Sequence, residues 1–160
     1  FTDGDKRRQG LANLFGEMNH RGQLFTQAIA AHRVAGKDMK DFMYDWSKEV
    51  SSLGARIQKE KAPLLRQMLL LCYLQMSQMG AKLETEYGKM ALNEIPPDSP
   101  LWPLNPSGIS VAAKLSGEAG KFDEYFSAVI EKQPEKEWLA NVVFNEVMSA
   151  KFRNEMYSSE

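Results

Sequence analysis

The residues that could do chemistry are few in this sequence and stand far apart. Its two histidines, His20 and His32, are separated by twelve positions, which places them about 120° apart around a helix. One straight helix therefore cannot direct both of them at a single metal ion. The only cysteine, Cys72, lies inside the apolar run 68–74. We expect it to be a small buried hydrophobe with a raised pKa rather than a nucleophile.

No short motif points to an enzyme either. The sequence contains no Gly-rich phosphate loop, no Gly-x-Ser-x-Gly elbow and no cluster of acids at metal-binding spacing. We therefore predict no catalytic residue, no metal ion and no cofactor. An enzyme with a site that these patterns do not reveal is the least favoured hypothesis, and it would need a deep pocket with converging titratable groups.

Basic residues along the first predicted helix are candidates for contact with nucleic acid. They are Lys6, Arg7, Arg8, Arg21 and Arg33. Such contacts would be electrostatic and independent of base sequence, so salt would weaken them sharply. Residues 1–80 hold twelve basic and eight acidic residues, and residues 81–160 hold eight and thirteen, which gives +4, −5 and a total of −1. That total is unlike the strong basic excess of most nucleic-acid-binding domains.

A stripe of large apolar side chains is the stronger candidate site. From Met39 to Ile57 the apolar positions recur at three- and four-residue steps after a capping Asp38, and this pattern predicts one amphipathic helix. Methionine-rich helical surfaces suit helical partners. We expect partner contacts from this stripe and from a later tryptophan: Met39, Phe42, Met43, Trp46, Val50 and Trp102. If every apolar face closes within the bundle, the chain is a monomer, and if one face stays open, the chain assembles.

The elements that would position these residues are helical. Apolar spacing predicts a first helix from 5 to 35, with a break or bend near 19–22 because each of its internal glycines costs about 1 kcal/mol relative to alanine. Gly36 is expected to end it. A central helix of about thirty residues, 63–92, should begin at its proline. Apolar side chains cover almost every side of that helix, which predicts a buried position at the centre of a bundle.

A proline-rich segment follows, from 93 to 108. Its five prolines favour an extended chain, while Leu101, Trp102 and Leu104 give it apolar surface to bury. Because a disordered linker would lack such a group of large apolar residues, we predict an extended strap packed over the bundle.

Two or three helices should complete the chain. They are expected from Ser107 or Ser110 to Gly117, from 118 to 132, and from Pro134 onward. No segment has the alternating pattern of a strand. The sequence thus predicts a multi-helix, all-α single domain, 1–160, in which a lobe at 1–92 and a subdomain at 109–160 are joined by the strap.

Composition narrows the class of function. A single cysteine cannot form an internal disulfide, and no signal-peptide pattern is visible, so we expect a soluble, intracellular protein in a reducing compartment. The apolar run 68–74 is too short to span a membrane. The leading hypothesis is a non-catalytic helical interaction or assembly module whose partner is another protein or copies of itself. The alternative is a nucleic-acid-associated helical protein of the nucleocapsid type.

Overall fold

The computed structural model describes residues 2–134, 136–140 and 143, and within this part the chain is helical and has no strand. Its α-helices are α1 (Asp3–Val34), α2 (Ser47–Lys59), α3 (Pro63–Gln75), α4 (Thr85–Glu94), α5 (Gly108–Ser116) and α6 (Ala119–Lys132). Short 3-10 helices lie between them at Met39–Asp41, Met76–Met79 and Trp102–Leu104. The predicted all-α fold is confirmed. Residues 137–140 and 143 are helical, and the rest of the helix predicted from Pro134 onward lies outside the described residues.

The core is built around α3. Every residue from Met68 to Leu74 is buried, and α1, α2, α4 and α5 all pack against this helix. Because none of its sides faces solvent in this stretch, apolar residues occupy the whole circumference instead of one stripe. Leu53 and Ile57 of α2 and Ile109 of α5 join the same core with no exposed surface. The predicted buried helix at the centre of the bundle is confirmed.

The central helix is shorter than its apolar pattern suggests. Where one helix over 63–92 is expected, the structure has α3, a 3-10 turn and then α4. Gly80 causes the break, because it adopts φ 79°, the left-handed conformation in which glycine commonly ends helices. The amide of Ala81 donates to the Met76 carbonyl at 3.1 Å, which closes the last turn. The chain then reverses, and α4 packs back against α3.

The first helix is continuous through residues 19–22, so it has no break there, and the alternative of a bend stays a prediction. With 32 residues, α1 is about 48 Å long. Its beginning is fixed by a capping box, in which the side chains of Thr2 and Asp5 each accept the other's backbone amide. Packing of Leu14 in the core adds tertiary support that offsets the glycines. Gly36 ends the helix in the left-handed conformation, with φ 68°, as predicted.

The chain between α4 and α5, residues 95–107, packs closely over the bundle and is termed the strap. Trp102 has 0 % of its surface exposed, and its indole Nε1 donates to Tyr125 Oη at 2.8 Å. Tyr125 Oη donates in turn to the Ile95 carbonyl, and the Gln133 side chain donates to the Pro97 carbonyl at 2.8 Å. The predicted packing is therefore confirmed. The strap is not extended throughout, because a 3-10 turn begins at Trp102.

Candidate partner-binding surface

An aromatic cluster shapes the chain between α1 and α2. Phe25 of α1 has its ring centroid 5.7 Å from Phe42, 6.2 Å from Tyr44 and 5.8 Å from Trp46. Alternate residues of this segment therefore reach the same neighbour, which is the period of an extended chain and not of a helix. Phe42 has extended backbone angles, and α2 begins only after Trp46. The single amphipathic helix predicted over 39–57 is wrong in its first half.

Aromatic burial explains this departure. Each edge-on or tilted ring pair contributes about 0.5–1.5 kcal/mol beyond its buried area, whereas continuing a helix through a few residues of ordinary propensity gains less. The cap predicted at Asp38 does form, because its carboxylate accepts the backbone amide of Lys40 at 3.0 Å. It opens only the three-residue 3-10 helix that starts at Met39. The chain then leaves helical geometry so that its aromatic side chains can surround Phe25.

The six apolar partner candidates separate into core and surface. Those that are buried or half-buried are Phe42, Trp46, Val50 and Trp102. Met39 is 38 % exposed and Met43 is 92 % exposed. The structure therefore places four of the six in packing contacts within the chain, and it leaves the two methionines with surface that a partner can reach.

Met43 stands at a groove of about 630 Å³. One wall consists of residues 43–47 and 50–51, and the other consists of residues 80–84. The indole Nε1 of Trp46 donates to the carbonyl of Met79 at 3.0 Å, and this hydrogen bond ties the two walls together. Val50 is buried at the groove and Leu83 is half-buried, so part of its lining is apolar. This concavity is termed the Met43 groove.

The walls of the Met43 groove carry peptide groups without partners. The backbone N–H and C=O groups of Met43 and Tyr44 make no hydrogen bond within the described part of the protein. The same holds for Lys82 and Leu83 on the opposite wall. Such groups bond to water unless another main chain lies beside them. The groove therefore offers hydrogen-bonding capacity of the kind that extended peptides use.

Charged side chains flank the groove, and acids outnumber bases there. Asp45 on one wall faces solvent, and hydrogen bonds from the Ser47 hydroxyl and backbone amide lower the pKa of its carboxyl group. Asp45 is therefore ionised at neutral pH. Glu84 and Lys82 line the other wall, so the groove has two carboxylates and one ammonium group. A partner with a basic residue beside an apolar one suits this combination.

The structure does not gather the basic candidates into one patch. Lys6 and Arg8 are exposed near the beginning of α1, and Arg33 is exposed near its end. A distance of about 38 Å along the helix axis separates Arg8 from Arg33. The side chain of Arg7 lies outside the described residues. A single phosphate-binding surface that includes all of them is therefore not formed by α1 alone.

Arg21, the remaining basic candidate, takes part in an ion-pair network. Its Nη2 lies 3.3 Å from Glu17 Oε2, and its side chain is 13 % exposed. The same carboxylate oxygen lies 2.6 Å from Nη1 of Arg56 on α2. Arg21 and Arg56 therefore share one acid that connects α1 to α2, and Arg21 has little surface left for a phosphate group.

The residues that could do chemistry remain apart in the fold. His20 is exposed on α1, while His32 has Nε2 2.7 Å from the carbonyl oxygen of Asp38. Burial raises the pKa of the Cys72 thiol to about 11, as the apolar run predicts. Within the described residues, no three His, Cys, Asp or Glu side chains come together as metal ligands would.

Sequence reasoning missed the second wall of the groove. The apolar pattern predicts a helix over 63–92 that includes residues 80–84, although Gly80 is a residue type that commonly ends helices. Several exposed apolar residues were also not among the predicted contacts: Phe15, Val34, Leu104 and Ile130. Phe15 and Ile130 stand at the helical spacing that is typical of core positions, so pattern alone does not show that they face water.

Comparison with known proteins gives no relative. No family model, curated protein or solved structure matches the chain. Among the helices that the structure describes, none combines the length and the apolar character that a membrane span requires. Function must therefore be inferred from the residues of this chain.

Proposed function

We propose that this chain is a non-catalytic interaction module and that the Met43 groove receives a segment of another polypeptide, either a different protein or a second copy of the chain. One observation carries the proposal: a methionine that is 92 % exposed stands at a groove whose two walls have unpaired peptide groups. Methionine adapts its shape to a partner, and its burial would remove apolar surface from water.

The groove suits a segment that binds in extended conformation. Its main chain would pair with the free peptide groups of Met43 and Tyr44 or with those of Lys82 and Leu83. One apolar side chain would pack against the exposed part of the lining beside Met43. A neighbouring Lys or Arg would lie close to Asp45. In this mode the main chain supplies affinity, and alternate side chains supply specificity.

Selection from a library of short peptides on the immobilised chain tests this mode. We expect enriched peptides to carry an apolar residue next to Lys or Arg, and we expect Met43→Asp to reduce their affinity at least tenfold. Leu104→Asp is the matched control, because Leu104 is also exposed but lies in the strap, outside the groove. Peptides that bind the Met43→Asp variant as tightly as the unmodified chain would refute this use of the groove.

Light scattering over a range of concentrations decides whether a second copy is the partner. Self-association through the groove predicts a mass that rises with concentration for the unmodified chain and stays at that of the monomer for Met43→Asp. A chain that is monomeric at every concentration and that selects no peptide would contradict the interaction module itself.

A second candidate function is association with nucleic acid. The observation that favours it is the exposure of Arg33, Lys37 and Lys40, which lie within eight residues at the end of α1. Asp38 and Asp41 are interleaved with them, and these acids reduce the local positive potential. Titration into labelled RNA and DNA at low salt tests the idea, since phosphate contacts are strongest there. Absence of binding under that condition would remove this candidate.

A further inference from the structure

Four sulfur-containing residues converge on a small cavity between α1 and α3. The cavity has a volume of about 80 Å³. Four of its lining residues have sulfur in their side chains, namely Met18, Cys72, Met76 and Met79, and Arg21 lines it as well. Two of these sulfur atoms are already neighbours, because Cys72 Sγ lies 3.0 Å from Met18 Sδ. Met76 and Met79 are the first and last residues of the 3-10 turn that follows α3.

The spacing of these residues explains their convergence. Positions 72, 76 and 79 are related as i, i+4 and i+7, which places them on one side of a helix. Met18 approaches that side from α1. The four residues therefore come from α1, α3 and the 3-10 turn that follows α3, and none of them lines the Met43 groove.

We propose that this cluster binds a soft monovalent metal ion of the Cu(I) class. Thiolate and thioether sulfur are the ligands that Cu(I) prefers, whereas Mg²⁺ and Ca²⁺ need oxygen. A structural zinc site would need further cysteine or histidine ligands, and Cys72 is the only cysteine of the chain. One thiol with the thioethers of Met18 and Met76 is thus a ligand set that distinguishes a Cu(I)-type ion from the commoner metals. Met79 lies about 12 Å from Cys72 along the axis, too far to bind the same ion, and it can only cover the site.

Binding would exchange one proton for one metal ion. The Cys72 S–H bond breaks, the proton leaves to solvent, and the thiolate sulfur bonds to the cation, with no change in oxidation state. Thiolate and cation together are neutral, which suits an apolar surrounding. The charges nearest to the thiol are those of Arg21, Glu17 and Arg56. Both guanidinium groups share the Glu17 carboxylate, and the net charge of +1 favours the thiolate form of Cys72.

The cavity has an approach from solvent. Cys72 and Met76 are buried, whereas Met18 and Met79 are only partly buried. Gln78, which also lines the cavity, is exposed. A metal ion could therefore reach the thiol by displacing long flexible side chains, without opening of the core around α3.

Competition with bicinchoninate under anaerobic, reducing conditions tests the proposal on the whole chain. Cu(I) itself is one probe, and Ag(I), which keeps its oxidation state in air, is the second. We expect one ion per chain and loss of that binding in Cys72→Ala. Met18→Leu and Met76→Leu, which each remove a thioether ligand, should weaken it at least tenfold, a loss that is already typical of residues that support metal ligands.

Met68→Leu is the matched control. Met68 is buried one turn before Cys72 on the same helix but does not line the cavity. The affinity of the Met68→Leu variant for Cu(I) and Ag(I) should therefore be unchanged. Leucine conserves the volume of methionine well enough for these variants to fold, and circular dichroism verifies their helical content. Three results would each overturn the proposal: no binding in competition, binding that survives Cys72→Ala, or affinity that none of the cavity methionines alters.

Discussion

Two segments between α-helices of this chain each bury a tryptophan, but only one of them also pairs its main chain. In the strap, Trp102 is fully enclosed, and its 3-10 turn closes with Leu104 N–H donating to the Leu101 carbonyl and Asn105 N–H donating to the Trp102 carbonyl. Asn105 also donates from its side chain to the Leu71 carbonyl of α3. The Trp102 side chain and these peptide groups are thus occupied within the chain.

The segment before α2 is satisfied only in part. Trp46 is buried and bonded to the Met79 carbonyl, yet the peptide groups of Met43 and Tyr44 beside it have no partner in the described structure. A segment with free main-chain groups resembles the edge of a sheet, which can add another chain. A buried tryptophan anchors each segment. The two segments differ in whether the peptide groups beside the tryptophan are hydrogen-bonded within the chain or remain unpaired.

Trp102→Ala should have the largest effect, because it empties a site that the strap closes completely. Truncation of a buried tryptophan typically lowers the free energy of unfolding by about 3–5 kcal/mol, and the lost hydrogen bond to Tyr125 adds to this. Urea denaturation measures the change. Leu104→Ala is the control in the same turn, where the exposed side chain predicts a change within about 0.5 kcal/mol. Equal effects of the two variants would mean that the strap does not close over Trp102.

Trp46→Phe should have a smaller effect on stability and a visible effect on the groove. The variant keeps an aromatic ring beside Phe25 but leaves the Met79 carbonyl without its donor, a loss of about 1–3 kcal/mol for a buried acceptor. Because that hydrogen bond joins the walls, peptide affinity should fall as well. Tyr44→Phe is the matched control, since the Tyr44 hydroxyl has no hydrogen-bond partner in the described structure. A Trp46→Phe variant with unchanged stability and affinity would show that the walls are joined by other contacts.

The fold was largely predictable because its main signals are local. Apolar residues on every side of α3 can only be buried, and Gly36 and Gly117, which both end helices with φ 68°, are recognisable from sequence. The strap was predictable for a similar reason, since Leu101 and Trp102 are too apolar for a free linker. These inferences require no knowledge of which residues meet in space.

The site was not predictable to the same degree, because it depends on contacts between distant residues. Phe42 and Trp46 fit the three- and four-residue steps of a helix, and they also fit the two-residue step of Phe42, Tyr44 and Trp46 in an extended chain. Phe25, far away in sequence, decides between the two periods. Likewise, a peptide group in the Met43 groove is free because the fold places no hydrogen-bonding partner beside it. No sequence pattern shows this.

Gly80→Ala tests the second wall of the groove with a moderate expected change. At φ 79° an alanine should cost about 1–2 kcal/mol of stability, although no atom lies within 4 Å of the added Cβ. Gly16→Ala is the opposite control: it also meets no neighbour but lies within α1, where alanine should stabilise by up to about 1 kcal/mol. Differential scanning calorimetry of both variants separates strain from helix propensity. A gain in stability in both would mean that residue 80 is helical after all.

Met43→Asp should change stability least, which makes it the sharpest probe of the difference between the two segments. The side chain is 92 % exposed, so its replacement should alter the free energy of unfolding by less than about 0.5 kcal/mol. Peptide binding or self-association should nevertheless weaken at least tenfold, since an aspartate would remove the apolar contact and place a hydrated charge where the partner's apolar side chain packs. Met39→Asp is the control, because Met39 is an exposed methionine of the same connection that does not line the groove. If both substitutions weaken association equally, the binding surface extends beyond the groove, and if neither does, the free peptide groups of this segment face only water.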